Sequence, residues 1–263
     1  MPRQYTYGPF RSRRLGLSLG IDILPKNKLC TYNCVYCEIG PTKEVASPEC
    51  RINAPPSSNF RKELKEILKY VPHLNSITFG YNGEPTLNEK LLDFYTITLD
   101  VRSELKWTNK PPLITLFTNS STLYVEEIRK RVKHFDLVLA KLDAATEKDL
   151  RKTNRPHKDC PDIMTITDSL VKLRKDMPNK KLAIQCLISK SYRDDFSSND
   201  NKENIEQLAY AIKIIKPDIV QLYSIARIPS EYFVYAIDEK RKKEIVKIFK
   251  EIINNDLIEI NYY

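Results

Sequence analysis

Three cysteines stand close enough in sequence to act together. The segment Leu29-Cys30-Thr31-Tyr32-Asn33-Cys34-Val35-Tyr36-Cys37 sets Cys30, Cys34 and Cys37 at CxxxCxxC spacing within one loop-length stretch. Thiolates are soft ligands that suit zinc and iron–sulfur centres. Three of them cannot close a four-coordinate site, so two chemistries compete. A structural zinc would need a fourth ligand, and Cys50 stands a short stretch beyond Cys37. An iron–sulfur cluster on three cysteines would instead keep one iron open to a substrate. The aromatic Tyr36 beside the last cysteine matches the second arrangement. Nothing between Met1 and Gly8 resembles the apolar core of a signal peptide, so the six cysteines read as thiols or metal ligands rather than a disulfide framework.

A second segment, Gly83-Glu84-Pro85-Thr86-Leu87, directly follows the apolar run Ser76–Phe79. Glycine is scarce elsewhere, and all six (Gly8, Gly16, Gly20, Gly40, Gly80, Gly83) fall in the first 83 residues. A P-loop or a GxGxxG turn needs several glycines together so that backbone amides can approach phosphates. Neither can be written from this chain. His73, His134 and His157 show no HxxxH pairing, which leaves metal binding to the cysteines. Arg155 and Arg227, in strand-end loops, are candidates to meet phosphate or carboxylate groups of a substrate, with a loop ion pair as the plainer competing role.

Lys and Arg number 43 against 34 Asp and Glu, a net charge of +9 that favours a polyanionic partner such as RNA. Arg3, Arg11, Arg13 and Arg14 lie near the cysteine segment in sequence and are candidates to contribute. No apolar run reaches the roughly 18 residues of a membrane span. The expectation is a cytoplasmic protein with no membrane association.

The elements that must position these residues alternate. Strand-length apolar runs occupy Leu17–Leu24, Ser76–Phe79, Leu113–Phe117, Leu137–Leu142, Leu182–Ile188 and Ile219–Ile225. Helical periodicity fills Arg61–Tyr70, Leu91–Leu105, Val125–Val132, Ile163–Lys175, Asn204–Ile215 and Glu239–Ile253. Without hairpin signals, this alternation predicts an α/β fold, an incomplete (β/α)6 parallel barrel of TIM-barrel-like form. No linker divides the chain, so 1–263 reads as a single domain, with a core of about 15–230 and a C-terminal helix and tail over 231–263. Function then sits at the strands' C-terminal ends, where the cysteine segment also falls.

Parity adds a test, because side chains alternate between barrel interior and helix-facing exterior. Ser18 and Asp22, Thr115 and Asn119, Lys141 and Asp143, Gln185 and Ser189, and Gln221 and Tyr223 share the interior parity. So many polar groups near strand ends suggest a ligand cavity. Asn119, Asp143 and Gln185 on that inward face are candidates for contacts to such a ligand. Lys141 is a candidate catalytic residue, as a Schiff-base nucleophile or a carboxylate anchor, with a salt bridge to an interior Asp such as Asp22 as the competing role. Cys186 has the opposite parity and should lie inert against helices.

CxxxCxxC with an aromatic before its final cysteine, after the first strand of such a chain, resembles the radical S-adenosylmethionine superfamily. Gly83-Glu84-Pro85 is similar to that superfamily's GEP motif. The resemblance implies one 4Fe–4S cluster on Cys30, Cys34 and Cys37, and S-adenosylmethionine chelating the fourth iron. It further implies Tyr36 beside the cofactor and Gly83, Glu84 and Pro85 receiving the amino group, with Asn119 placed for its carboxylate or ribose, Asp143 for the ribose hydroxyls and Gln185 for a further polar contact. Reductive cleavage to a 5′-deoxyadenosyl radical, hydrogen abstraction, and a ferredoxin or flavodoxin as electron donor would follow. Further stretches resemble the branch with the wyosine-forming tRNA enzymes and their shorter relatives: Ser12-Arg13-Arg14-Leu15-Gly16, Ser18–Asp22, Lys141-Leu142-Asp143-Ala144, Asn154-Arg155-Pro156, Ile184-Gln185, Pro217–Tyr223 and Arg227-Ile228-Pro229. That branch implies a tRNA substrate; a radical enzyme acting on a peptide, a glycyl-radical partner or a small molecule is the alternative, and a non-catalytic four-cysteine zinc or cluster-binding module the second. Those enzymes carry a second cluster on cysteines preceding the motif, and here no cysteine precedes Cys30.

Overall fold

In the computed structural model, which describes residues 3–263, the first half runs β1 (Thr6–Ser12), β2 (Gly16–Ile21), α1 (Phe60–Lys69), β3 (Ser76–Phe79), α2 (Leu91–Glu104), β4 (Leu113–Thr118), α3 (Glu126–Val132) and β5 (Leu137–Lys141). The second half runs α4 (Glu147–Thr153), α5 (Ile163–Asp176), β6 (Lys181–Leu187), β7 (Ser189–Ser191), α6 (Lys202–Ile215), β8 (Ile219–Tyr223), β9 (Val234–Ala236), α7 (Glu239–Ile253) and β10 (Glu259–Tyr262). One eight-stranded sheet has the order β1-β2-β3-β4-β5-β6-β8-β10, parallel from β2 to β10 and open between its two edges. The incomplete parallel barrel is therefore present, with three additions.

The first addition is β1, paired antiparallel to β2 with a register shift between Tyr7 and Phe10. The sequence reading found no hairpin because Gly8 and Pro9 interrupt the run, and an edge strand tolerates both. The second is β10, which lies parallel to β8 inside the stretch expected to be helix and tail. Its short Glu259–Tyr262 run alternates too briefly to read as a strand. The third is the small antiparallel pair β7 and β9 beyond the sheet. Helix α4, mostly polar, was also hidden to periodicity and is marked by its Thr146 cap on the Asp149 amide.

The strands' two parities separate as expected. Leu19, Ile77, Leu116, Val138, Ile184 and Val220 pack outward with helix residues such as Leu64, Phe94, Ile128 and Leu208. Cys186 lies fully buried in that outer layer. The inward set closes one end of the barrel with Leu137, Leu139 and Ala183, against Leu15, Phe117 and Ile219. Beside this plug, Ser18, Thr78, Ser76 and Thr115 satisfy one another in a hydroxyl chain at 2.7–2.9 Å. No helix among the described residues is long and apolar enough to cross a membrane.

Glu63 of α1 holds the hairpin in place. Its carboxylate accepts from the Gln4, Tyr5 and Thr6 amides at 3.0, 3.1 and 2.8 Å and from the Thr6 hydroxyl at 2.7 Å. Burial works against the charge, but these donors prevail and hold the carboxyl below its ordinary value. The stabilisation is present above about pH 4.5 and is lost as pH falls through the lower native value. Glu63→Gln should cost about 1.5–3 kcal/mol at neutral pH. It should also flatten the acid limb of a denaturant-derived stability profile; an unchanged limb would exclude Glu63 as its source.

Candidate active site

The loop after β2 is pinned at both ends of its cysteine segment. On one side Leu29 bridges to Gly83: the Leu29 amide donates to Asn82 O at 3.0 Å and the Glu84 amide to Leu29 O at 2.9 Å. Gly83 sits at φ +137°, and a Cβ there would lie 1.7 Å from Leu29 O. Gly83→Ala should therefore destabilise the chain by about 2–3 kcal/mol in denaturant titrations, through strain and loss of this bridge. A change below about 0.5 kcal/mol would show the bridge to be dispensable. On the other side the Asn33 and Val35 amides donate to Asn154 O and Thr153 O at 3.0 Å, and Ser230 Oγ donates to Cys34 O at 2.8 Å. The β3–α2 connection and the end of α4 thus carry the loop across the C-terminal ends of the strands.

Each of the three sulfurs has its own side-chain N–H donor. Asn119 Nδ2 lies 3.5 Å from Cys30 Sγ, Asn154 Nδ2 3.4 Å from Cys34 Sγ, and Lys28 Nζ 3.1 Å from Cys37 Sγ. Burial, reinforced by Cys34, pushes the Cys30 thiol up to about 12. Burial and Asp143 push Cys34 up to about 11. A metal centre binding there must displace their protons. No group of three or more His, Cys, Asp or Glu side chains among the described residues is gathered tightly enough for a single metal ion. Cys50 is half-buried in the following loop. Cys160 faces the back of the cysteine segment, its Sγ 3.7 Å from Thr31 O. Soft donors spread along one loop, each facing an N–H group, fit a cluster held by three thiolates.

The polar residues around them are largely committed to one another. Glu84 is buried, and its carboxylate accepts from the Thr86 hydroxyl at 2.6 Å, the Thr118 hydroxyl at 2.9 Å, and the Thr86 and Asn119 amides at 3.2 and 2.6 Å. Burial nevertheless holds its carboxyl above the usual value. The Glu84 side chain thus orients the Gly83–Pro85 turn and the end of β4. Asn119 donates to Thr31 Oγ1 at 2.8 Å as well as to Cys30. Asp143 accepts from the Leu187 amide at 2.8 Å, Asn154 Nδ2 at 2.9 Å and the Tyr36 hydroxyl, and pairs with Lys141 Nζ at 3.2 Å. Gln185 donates to Gln221 at 2.8 Å inside the barrel. Buried carboxylates and amides need such partners whether or not a ligand is near.

Lys141 has the interior position expected of it, but its acidic partner is Asp143 rather than Asp22, which caps the Leu24 amide at 3.1 Å. Its Nζ also donates to the Tyr223 hydroxyl at 2.5 Å and lies 4.8 and 5.0 Å from the centres of the Tyr36 and Tyr223 rings. Burial disfavours its charge, yet Asp143 and Tyr223 outweigh it and raise its pKa above the ordinary value. It is an ammonium at neutral pH, which suits an anion anchor better than an amine nucleophile. Arg14 stacks on the other side of the site, its guanidinium 4.3 Å from the Tyr223 ring.

Sequence reasoning missed Lys28, Asn154 as a thiol donor, and Tyr223 as the link between Lys141 and Arg14. Lys28, two residues before Cys30, offered a signal only in hindsight of the loop's turn back to Gly40, whose carbonyl it also reaches at 2.5 Å. Of the N-terminal arginines only Arg14 comes to the site. Arg11 and Arg13 are exposed on a hairpin whose turn lies at the start of β2, and the site lies past its end. Arg155 pairs with Glu231, and Arg227 with Glu38 at 3.0 Å, so both loop arginines hold ion pairs. A cavity of about 10 Å³, room for one water, separates Tyr32, Asn119, Lys141 and Asn154. The buried Asn154 Oδ1 has no protein partner.

No protein-family model matches the chain. Among solved structures, SuiB of Streptococcus suis bound to S-adenosylmethionine superposes with a TM-score of 0.62 at 14% identity, over 93% of this chain and 50% of that one. TYW1 with a lysine-pyruvate adduct bound gives 0.56 at 16% identity, over 89% and 73%. These are radical S-adenosylmethionine enzymes, and the likeness is one of fold. Among curated proteins, one named GTPase Obg from Brachyspira hyodysenteriae is 30% identical over 93% of this chain, which spans only 33% of its length. A UPF0026 protein of Methanocaldococcus jannaschii is 31% identical over 97% of this chain and 74% of its own. Identity at that level along nearly the entire chain places it in the UPF0026 family, built on the fold of the radical S-adenosylmethionine enzymes.

Proposed function

We propose that the chain is a radical S-adenosylmethionine enzyme whose target is a tRNA base, modified by wyosine-type chemistry. The observation that carries the enzymatic reading is the set of three thiols on one loop at the strand ends, each hydrogen-bonded, beside the Gly83–Pro85 turn. Cys30, Cys34 and Cys37 would hold a 4Fe–4S cluster. When bound, that cluster supplies one electron, received from a ferredoxin or flavodoxin, for reductive cleavage of S-adenosylmethionine.

The chain's own residues bind, orient and exclude water. Gly83, Glu84 and Pro85 would take the amino group through their backbone, because the Glu84 carboxylate is occupied within the protein. Tyr36, Asn119, Asp143 and Gln185 form the walls, braced by the contacts already described. Lys141 stays protonated and anchors a carboxylate or phosphate, with Arg14 as second cation across Tyr223. The +9 net charge and the resemblance to the wyosine branch support a tRNA target.

The test is anaerobic reconstitution with iron and sulfide, followed by EPR of the reduced protein with and without S-adenosylmethionine and chromatography for 5′-deoxyadenosine. About four irons, a spectrum perturbed by S-adenosylmethionine and deoxyadenosine formation are expected. Zinc in place of iron, with no deoxyadenosine, would leave a structural metal module. Added bulk tRNA should raise deoxyadenosine yield and bind with a steep salt dependence. No response to tRNA would move the target to a peptide, a glycyl-radical partner or a small molecule.

A further inference from the structure

The three sulfur contacts differ in charge. Cys30 and Cys34 face the neutral amides of Asn119 and Asn154, each of which is itself held by a buried carboxylate: Glu84 through the Asn119 backbone amide, and Asp143 through Asn154 Nδ2. Cys37 alone among the three takes its hydrogen bond from a cation, Lys28 Nζ at 3.1 Å, while the Lys141 ammonium near Cys34 is paired with Asp143 at 3.2 Å. Lys28 pairs with no carboxylate among the described residues, and its remaining protein contact is the Gly40 carbonyl at 2.5 Å. The ammonium is half-buried, so solvent screens it less than it would a surface lysine.

From this asymmetry we infer that Lys28 sets the reduction potential of the cluster through Cys37, acting as a positioning and tuning residue rather than a ligand. The inference rests on the proposed cluster. One-electron reduction adds a negative charge shared over the irons, the inorganic sulfides and the ligand thiolates. A cation and N–H donor on one thiolate stabilises that added charge more than it stabilises the oxidised form, so it raises the potential. The electron comes from a one-electron donor of the ferredoxin or flavodoxin class, and no proton transfer is required of Lys28. The carboxylates behind the other two sulfurs, Glu84 and Asp143, act in the opposite direction, Asp143 partly offset by its Lys141 partner at 3.2 Å. Lys28 offsets them on the side of the loop that turns back at Gly40.

The test is an EPR-monitored redox titration of reconstituted protein without S-adenosylmethionine, across wild type, Lys28→Arg, Lys28→Gln and Lys28→Met. Lys28→Met should lower the reduction equilibrium constant at least tenfold, which is 59 mV for a one-electron couple. Lys28→Arg, which keeps cation and donor, should stay within about twofold of wild type, and Lys28→Gln, which keeps a donor without the charge, should fall between. If Lys28→Met fails to retain about four irons, the Gln variant decides, because it preserves a donor to the loop. Potentials that match across the iron-loaded variants would overturn the inference and leave Lys28 as a loop staple between Cys37 and Gly40. Absence of a cluster from the wild-type protein would instead defeat the proposed function, so the two failures are distinct.

Discussion

Cys30→Ala, Cys34→Ala and Cys37→Ala should each leave a protein that retains no four-iron cluster and forms no detectable 5′-deoxyadenosine, while Cys50→Ala, Cys160→Ala and Cys186→Ala keep both. Removal of one of three thiolates takes away a bond that no neighbour can replace. Cys160 is turned to the Thr31 carbonyl behind the loop, and Cys186 lies in the helix-facing layer. Iron and sulfide analysis after anaerobic reconstitution reads the result directly. The competing zinc module predicts a different pattern, in which Cys50→Ala loses metal as completely as the other three. That outcome would replace the open cluster with a closed structural site.

Asp143→Leu should destabilise the folded chain by about 3–5 kcal/mol, because removing one partner of a buried charge pair leaves the other uncompensated. Lys141 would lose its acidic partner, and the Leu187 amide, Asn154 Nδ2 and the Tyr36 hydroxyl would lose an acceptor. Denaturant unfolding at neutral pH measures the loss. The double variant Lys141→Met with Asp143→Leu should recover only part of it, since the Leu187 amide and the Tyr36 hydroxyl remain without that acceptor. A loss under about 1 kcal/mol, or full recovery in the double variant, would show that Asp143 is not the hub of this network. The same substitution should weaken iron retention, because Asn154 connects Asp143 to the Cys34 sulfur.

Much of the fold was legible because its central strands are short apolar runs buried on both faces, and such runs stand out in a chain otherwise rich in Lys and Glu. Ser76–Phe79 matches β3 residue for residue, and the other five runs overlap β2, β4, β5, β6 and β8. The edges were not legible. Strands β1 and β10 are half-exposed, and each depends on a neighbour for its register. Strand parity identified which polar residues face inward, since alternation survives from sequence to structure. It could not say what those residues would meet.

By itself the amino-acid order determined the chemistry available to this protein: three thiols in one loop, a glycine turn after the second parallel strand, and polar groups on one strand face. Those features are local, and local spacing is conserved on folding. Only the tertiary structure decided which partners the side chains find. Glu84 and Asp143, expected to face a cofactor, also accept from Thr118, Asn119, Asn154 and Leu187, donors that the sequence alone did not bring to them. Lys141 finds Asp143 and Tyr223, and Lys28 finds Cys37. A buried polar group must be satisfied by whatever lies within about 3 Å of it, and that neighbour is set by how distant strands are brought together.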